Sequence, residues 1–139
     1  MTIKIITNND LSEYANVLYS LNQKYDQKFF ITNELNLEAE LNRRISNGTK
    51  YFIFLVKQNV AGLIILNGEE IMHIFVDPNY RGQKIASKLI DNVKLEKDNL
   101  FLFISKVNEV GISFYKTNDF KINNKYKSEV SYKMYWKKN

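Results

Sequence analysis

The chain has 139 residues, of which 45% are hydrophobic and 25% are charged, and this composition predicts one globular domain spanning residues 1–139. It has no cysteine and one histidine, which excludes disulfides, thiol nucleophiles and multi-histidine zinc sites, so no metal is expected. The formal net charge of +5 is unevenly spread, with +7 in residues 81–139 and −2 in residues 1–80, and a basic half suits an anionic ligand.

The first third of the chain predicts a strand followed by two helices. Residues 3–6 predict a short strand, and the apolar positions of residues 11–21 follow helical spacing, with Asn9 or Asp10 as the expected cap. A polar and aromatic loop follows. Residues 34–46 then predict a second helix, which Asn47-Gly48 would end.

Three consecutive strands are predicted next. Residues 51–56 are nearly all apolar, so we expect both faces of this strand to be covered. Short turns at Gln58-Asn59 and Asn67-Gly68 lead into strands at residues 60–66 and 70–76. These segments predict an antiparallel meander.

The second half of the chain alternates helices and strands. An amphipathic helix is predicted from residue 85 to an end near Lys97-Asp98-Asn99, and residues 100–104 predict a buried strand, a crossover that favours parallel pairing. A helix opening at Asn108 and strands at residues 120–122 and 130–136 complete the domain. The expected fold class is α/β (α+β), with a mixed, mostly antiparallel central sheet of about seven strands and four helices in the order β-α-α-β-β-β-α-β-α-β-β.

The junction after the strand at residues 70–76 is the most informative stretch. It contains the single proline, Pro78, followed by Arg81-Gly82-Gln83-Lys84-Ile85-Ala86-Ser87 at a helix start. The first N–H groups of a helix have no intrahelical partner and carry partial positive charge, which makes them a natural phosphate site. We therefore expect a ligand with a diphosphate to bind at residues 81–87.

Two motifs identify a family. The segment from Arg81 to Ala86 resembles the acyl-CoA loop Arg/Gln-x-x-Gly-x-Gly/Ala of the GCN5-related N-acetyltransferase (GNAT) superfamily, and departs from it at Lys84, where glycine is typical. Asn108 with Phe114-Tyr115-Lys116-Thr117-Asn118-Asp119-Phe120 resembles the family's Asn…Phe-Tyr-x-x-x-Gly-Phe, with Asp119 in place of glycine. We expect ordinary helical angles at Lys84, whose ammonium could reach a phosphate, and a tolerated left-handed conformation at Asp119.

The resemblance covers essentially the whole chain and implies an acetyl-CoA-dependent N-acetyltransferase. Such an enzyme moves the acetyl group directly to a primary amine of a small molecule, peptide or protein in a ternary complex, with no covalent enzyme intermediate. The residues that the resemblance assigns to the cosubstrate are Ile74, Phe75 and Val76 for the pantetheine, Arg81, Gly82, Gln83, Lys84, Ile85, Ala86 and Ser87 for the diphosphate, and Asn108 and Tyr115 further along.

Three residues are catalytic candidates under this resemblance. Tyr115 occupies the position of the family's tyrosine acid, although packing against the sheet is the structural alternative. Glu70 is a candidate base or a solvated hairpin carboxylate. His73 is the other candidate base, and strand alternation predicts that it shares a face with Ile71 and Phe75. A water relay would need neither base.

The resemblance implies that the acceptor amine binds between the first two helices and the late hairpin. The candidates there are Tyr25, Asp26, Phe29, Phe30, Glu34, Glu38 and Glu40, with Tyr126 and Tyr132 later in the chain. A solvated helix face with core aromatics is an equal explanation for each of them.

Two other functions compete with the enzyme. One is a catalytically degenerate acyl-CoA-binding sensor or partner module of the same fold. The other, a nucleic-acid-binding module, ranks last because the chain has only three arginines, so no nucleic acid partner is expected. No apolar run approaches the ~20 residues of a membrane span and the first residues lack a secretory pattern, so we expect a cytoplasmic monomer or homodimer without a membrane partner.

Overall fold

The computed structural model describes the backbone of residues 2–25 and 37–139, and the side chains of residues 2–21 and 37–139. The strands are β1 (Thr2–Ile5), β2 (Thr49–Val56), β3 (Asn59–Asn67), β4 (Glu70–Val76), β5 (Asn99–Ser105), β6 (Lys121–Ile122) and β7 (Ser131–Lys137). The helices are α1 (Leu11–Tyr25), α2 (Leu37–Ser46), α3 (Ile85–Lys94) and α4 (Glu109–Thr117). Short 3-10 turns at Asn8–Asp10 and Pro78–Tyr80 precede α1 and α3.

The strands form one sheet in the order β1-β2-β3-β4-β5-β7-β6. All neighbours are antiparallel except β4 and β5, which are parallel. The predicted fold class, a mixed and mostly antiparallel seven-stranded sheet with four helices, is confirmed. The parallel pair is the one that α3 connects, as expected for a crossover.

The predicted cap of the first helix is wrong. Residues 8–10 form a 3-10 turn instead, and the Asp10 carboxylate accepts hydrogen bonds from the Thr7 N–H at 2.8 Å and the Thr7 hydroxyl at 2.9 Å. These bonds, the backbone one first, lower the pKa of Asp10. The helical backbone therefore begins at residue 8, before the predicted helix. Thr7 and Asp10 stabilise this turn because the Asp10 carboxylate accepts both of the hydrogen bonds that Thr7 donates.

Two hydrophobic cores lie on opposite faces of the sheet. Leu18 and Leu41 of α1 and α2 pack with Tyr51, Ile53 and Leu63 on one face. On the other face α3 and α4 cover a second core, whose members include Phe52, Ile64, Leu89, Ile90, Leu100 and Met134. Strand β2 contributes alternate residues to both cores, which confirms that both of its faces are covered.

Gly62 on β3 allows α3 to lie close against the sheet. A Cβ at this position would lie 2.9 Å from Ile85 Cγ2 and 3.0 Å from the Phe75 carbonyl oxygen. Because Ile85 is the first residue of α3, this close approach fixes the start of α3 beside the end of β4. None of the helices in residues 2–25 and 37–139 is both long enough and apolar enough to cross a membrane.

Candidate active site

A cleft opens between β4 and β5. The two strands, both described in full, pair at one register position, Glu70 opposite Phe101, and diverge beyond it. The space between them has a cavity volume of about 560 Å³. Its lining comes from four elements: Ile71, Met72, His73, Ile74, Phe75 and Val76 of β4, Arg81 and Ala86 at the start of α3, Leu102, Phe103 and Ile104 of β5, and Asn108, Val110, Gly111, Phe114 and Tyr115 at α4.

The backbone of β4 presents polar groups to this cleft. The Asp77 N–H donates to the Ala61 carbonyl at 2.8 Å, on the side of β3. Successive residues of a strand direct their peptide groups to alternate edges. Phe75 therefore faces β3, whereas Ile74 and Val76 turn their N–H and C=O groups towards the cleft, where an extended ligand could pair with them as a further strand would.

A bulge in β4 decides which side chains share a face. In the register with β3, His73 lies opposite Ile65 but Ile71 lies opposite Leu66, so Met72 is an extra residue on β4. Ile71 accordingly belongs to the core under α3 and α4, while Phe75 packs on the core under α1 and α2. The expectation that His73 shares a face with Ile71 is wrong; it shares one with Phe75 only, because the bulge interrupts the alternation.

The start of α3 is an exposed loop with two left-handed residues. Gly82 has φ 85° and Lys84, the N-cap residue, has φ 60° and ψ 30°. The ordinary helical angles expected for Lys84 are wrong: the position requires the left-handed conformation that glycine adopts most easily. The Lys84 side chain does not cap this end, and the first intrahelical bond runs from the Lys88 N–H to the Lys84 carbonyl at 3.0 Å.

The residues expected at the diphosphate divide into three groups. Arg81 and Ala86 line the cleft, and the side chains at Arg81, Gln83 and Lys84 are exposed. Ile85 is buried in the core, so its backbone alone can face a ligand. Ser87 is half-buried, and its hydroxyl accepts a hydrogen bond from the Asn118 amide at 3.4 Å.

Asn108 caps α4 beside the cleft. Its side-chain oxygen accepts a hydrogen bond from the Gly111 N–H at 2.9 Å, which confirms the predicted helix start. A Cβ at Gly111 would lie 2.7 Å from Asn108 Nδ2 and 2.8 Å from Ile104 Cδ1. Glycine at this position therefore allows the Asn108 side chain to fold back over the helix and line the cleft.

Tyr115 lies about two helical turns beyond Asn108 on α4 and also lines the cleft. Its side chain is buried, with ring centroids of Phe114 and Phe120 at 5.1 and 5.4 Å. Burial raises the pKa of the Tyr115 phenol above its ordinary value of 10.0. The phenol is therefore a neutral hydrogen-bond donor throughout the physiological pH range.

A polar contact between α3 and α4 holds the end of α4. The Lys94 side chain is 14% exposed, and its Nζ donates to the Asn118 carbonyl at 2.6 Å and lies 5.6 Å from the Phe120 ring centroid. Asp119 has φ 72°, the left-handed conformation expected of it. Sequence analysis missed Lys94 and Asn118, because a lysine at a helix end and an asparagine after a helix are both common at solvated surfaces.

The remaining candidates lie apart from the cleft or outside the described residues. Glu70 lies at the end where β4 and β5 pair and is not among the lining residues. Glu40 binds the guanidinium groups of Arg43 and Arg44 at 2.6 and 3.0 Å, so its carboxylate already forms ion pairs within its own helix, α2. Asp26, Phe29, Phe30 and Glu34 and the side chain of Tyr25 lie outside the described residues.

Comparison with known proteins agrees with this architecture. Residues 13–129 match the family model of the GNAT acetyltransferase domain. Over 62 residues the chain is 31% identical to the peptidyl-lysine N-acetyltransferase YjaB of Salmonella typhimurium, a match that spans 45% of this chain and 43% of that protein.

Solved structures share this fold. A chimera of the Vibrio cholerae spermidine N-acetyltransferase SpeG with hSSAT superimposes with a TM-score of 0.75 at 19% identity, covering 97% of this chain and 94% of the chimera. The PaiA N-acetyltransferase of Thermoplasma acidophilum, solved in complex with coenzyme A, superimposes with a TM-score of 0.65 at 22% identity, covering 99% of both chains.

Proposed function

Because this chain belongs to the GNAT acetyltransferase family, we propose that it transfers an acetyl group from acetyl-CoA to a primary amine of a small molecule, peptide or protein. The observation that carries the proposal is the cleft between β4 and β5, which joins the uncapped start of α3 to Tyr115 and His73. The structure of PaiA with coenzyme A supports an acyl-CoA ligand. The expected cytoplasmic location and oligomeric state stay predictions.

The cosubstrate would follow the cleft from end to end. Its diphosphate binds the N–H groups at the start of α3, with Arg81 and the Lys84 ammonium as nearby cations. Its pantetheine pairs with the peptide groups that Ile74 and Val76 turn towards the cleft. Asn108 lies across the cleft on α4 and offers its amide N–H group to the same chain.

The reaction is a direct acyl transfer. The acceptor reaches the cleft as an ammonium ion and must first lose a proton, because the attacking nitrogen needs its lone pair. The nitrogen then forms a bond to the acetyl carbon, the carbon–sulfur bond breaks, and the nitrogen loses a second proton. One of the two protons ends on the thiolate of coenzyme A and the other is released to solvent. The products are an N-acetyl amide and free coenzyme A.

Tyr115 acts on the departing sulfur as a hydrogen-bond donor. A free thiol has a pKa of about 8.5, whereas that of the phenol is raised above 10.0 by burial. Complete proton transfer from the phenol to the thiolate is therefore uphill by more than about 2 kcal/mol. An O–H···S hydrogen bond that forms as charge develops on sulfur still lowers the barrier. The proton that the thiolate finally takes up comes from the reacting nitrogen.

His73 is favoured over Glu70 as the group that receives the amine proton. His73 lines the cleft, on the face opposite α3 and α4, whereas Glu70 lies where the cleft closes. The neutral form of an imidazole can accept a proton directly or through water.

The test combines binding with turnover. We expect acetyl-CoA to raise the thermal midpoint of the protein and, with an amine panel, to release free coenzyme A. Tyr115→Phe should lower kcat about 100-fold with little change in the KM for acetyl-CoA, while Tyr14→Phe, at a buried tyrosine of α1 in the core on the opposite face of the sheet, serves as the matched control.

Each alternative predicts a different result. Binding of acetyl-CoA without turnover on any amine would favour the sensor module. The absence of a thermal shift at millimolar acetyl-CoA would exclude both the acetyltransferase and the sensor module.

A further inference from the structure

The face of the sheet from which the acceptor must approach is set by the cosubstrate. The proposed diphosphate site and Asn108 lie with α3 and α4 on one face, so the acceptor reaches the acetyl group from the opposite face. On β5 that face carries Phe101 and Phe103, since Leu100, Leu102 and Ile104 are buried under α3 and α4. We call the patch formed by Phe101, Phe103, Lys133 and Tyr135 the acceptor face.

A fixed cation lies on the acceptor face. Lys133 of β7 is directly opposite Phe103, and its Nζ lies 4.6 Å from the Phe101 ring centroid and 5.8 Å from that of Phe103. Phe103 also lines the cleft and is 46% exposed. Within the part of the chain that the structure describes, no carboxylate forms an ion pair with Lys133, so its charge is held by two aromatic rings and is not neutralised.

A second cavity borders the acceptor face through Tyr126, while Ile122 and Tyr132 in its lining pack on the core under α3 and α4. The rings of Phe103 and Tyr126 are in contact at 5.3 Å between centroids, and Tyr126 lines a cavity of about 440 Å³ at the loop between β6 and β7. Its charged lining residues are Lys106, Lys127 and Glu129, an excess of one positive charge. An acceptor that extends from the cleft over Phe103 therefore meets lysines along its path.

We propose that the acceptor is a primary amine that also carries a carboxylate, such as an amino acid or an acidic peptide, and not a polyamine. This inference rests on the proposed function. A carboxylate on the distal part of the acceptor would pair with Lys133 or the lysines of the second cavity. A polyamine would direct a second ammonium towards the same lysines, and like charges repel. The likeness to spermidine N-acetyltransferase structures, at 19% identity, extends to the fold alone.

The test is a pair of acceptors that differ only in the carboxylate. Nα-acetyl-lysine and Nα-acetyl-lysine methylamide share the reacting ε-amine, and spermidine serves as the polyamine. We expect kcat/KM to be at least about tenfold higher for the acid than for the methylamide, and higher still relative to spermidine. Turnover with equal values for the first pair, or with a preference for spermidine, would overturn the inference and leave the proposed function intact.

Substitution of Lys133 connects the preference to the acceptor face. Lys133→Met keeps an unbranched side chain over the two rings and should bring the acid-to-amide ratio close to one, and Lys133→Glu should invert it. Lys137→Glu, on the same strand face opposite Asn99, is the control and should leave the ratio unchanged. If the wild-type preference exists but neither Lys133 variant alters it, Lys133 is not the determinant. Absence of turnover on all amines, with acetyl-CoA bound, would instead overturn the proposed function.

Discussion

Replacement of Lys84 by glycine should stabilise the protein. The backbone of Lys84 is left-handed, with φ 60° and ψ 30°, and this conformation costs a residue with a Cβ about 1–2 kcal/mol. Glycine removes that cost but adds about 0.5–1 kcal/mol of conformational entropy in the unfolded chain. The midpoints of these ranges give an expected net gain for Lys84→Gly of about 0.75 kcal/mol, or about 2–4 °C in thermal midpoint for a domain of this size.

The matched variant Lys84→Ala separates the backbone from the ammonium. Alanine keeps the Cβ and its strain but loses the charge, so its stability should stay within about 0.5 kcal/mol of the wild type. Urea denaturation of the three proteins measures this directly. If the glycine variant is no more stable than the alanine variant, the left-handed backbone is not strained and the reasoning fails.

Acetyl-CoA affinity gives the second half of this experiment. If the Lys84 ammonium contacts the diphosphate, both variants should bind acetyl-CoA about 3–10-fold more weakly, and the difference should shrink as salt is added. Lys116→Ala, which removes an exposed lysine of α4, is the control. Wild-type affinity in both variants would show that Lys84 is a tolerated departure without a role in binding.

Two further predictions concern α4. Gly111→Ala should destabilise the protein by about 1 kcal/mol or more and raise the KM for acetyl-CoA, because its methyl group would displace Asn108 and break the N-cap. If Gly111 were an ordinary helical glycine, the alanine variant would instead be more stable than the wild type. Ser113→Ala is the control for both the denaturation and the kinetic measurements. Because burial raises the pKa of Tyr115, the unfolded chain loses this proton first as the pH rises above about 10, so the stability contributed by the neutral phenol is lost there. Tyr115→Phe should remove up to about 1.4 kcal/mol per pH unit from the slope of unfolding free energy between pH 10 and 11, and an unchanged slope in urea denaturation would contradict the assigned burial.

Local sequence patterns were sufficient to predict most of the architecture. The order of strands and helices, the parallel pair joined by α3 and the cap at Asn108 follow from apolar periodicity, turn residues and one capping side chain. The left-handed conformation of Asp119 was also predictable, because the residue follows a helix at a position where the resembled motif has glycine.

The features that sequence analysis did not predict depend on contacts between distant segments. The bulge at Met72 is set by the register of β4 against β3, and no local pattern distinguishes it from continuous alternation. The left-handed angle of Lys84 was indicated by the glycine that the resembled motif has at this position, whereas the close approach of the next residue, Ile85, to Gly62 is a tertiary contact. The contact of Lys94 with Asn118 joins residues that are 24 positions apart. These contacts position Tyr115, His73 and the start of α3, so the detailed site required the structure.

The single pairing of Glu70 with Phe101 also has a mechanical consequence. The ladder that connects the strands on either side of this position stops after one register pair, so the backbone seam of the sheet is weakest where the ligand is proposed to bind. An extended ligand bonded to Ile74 and Val76 would act as a missing strand and join the two parts of the sheet. The bound cosubstrate would then make the whole domain more rigid. Its release would allow the two parts of the sheet to move more freely relative to each other.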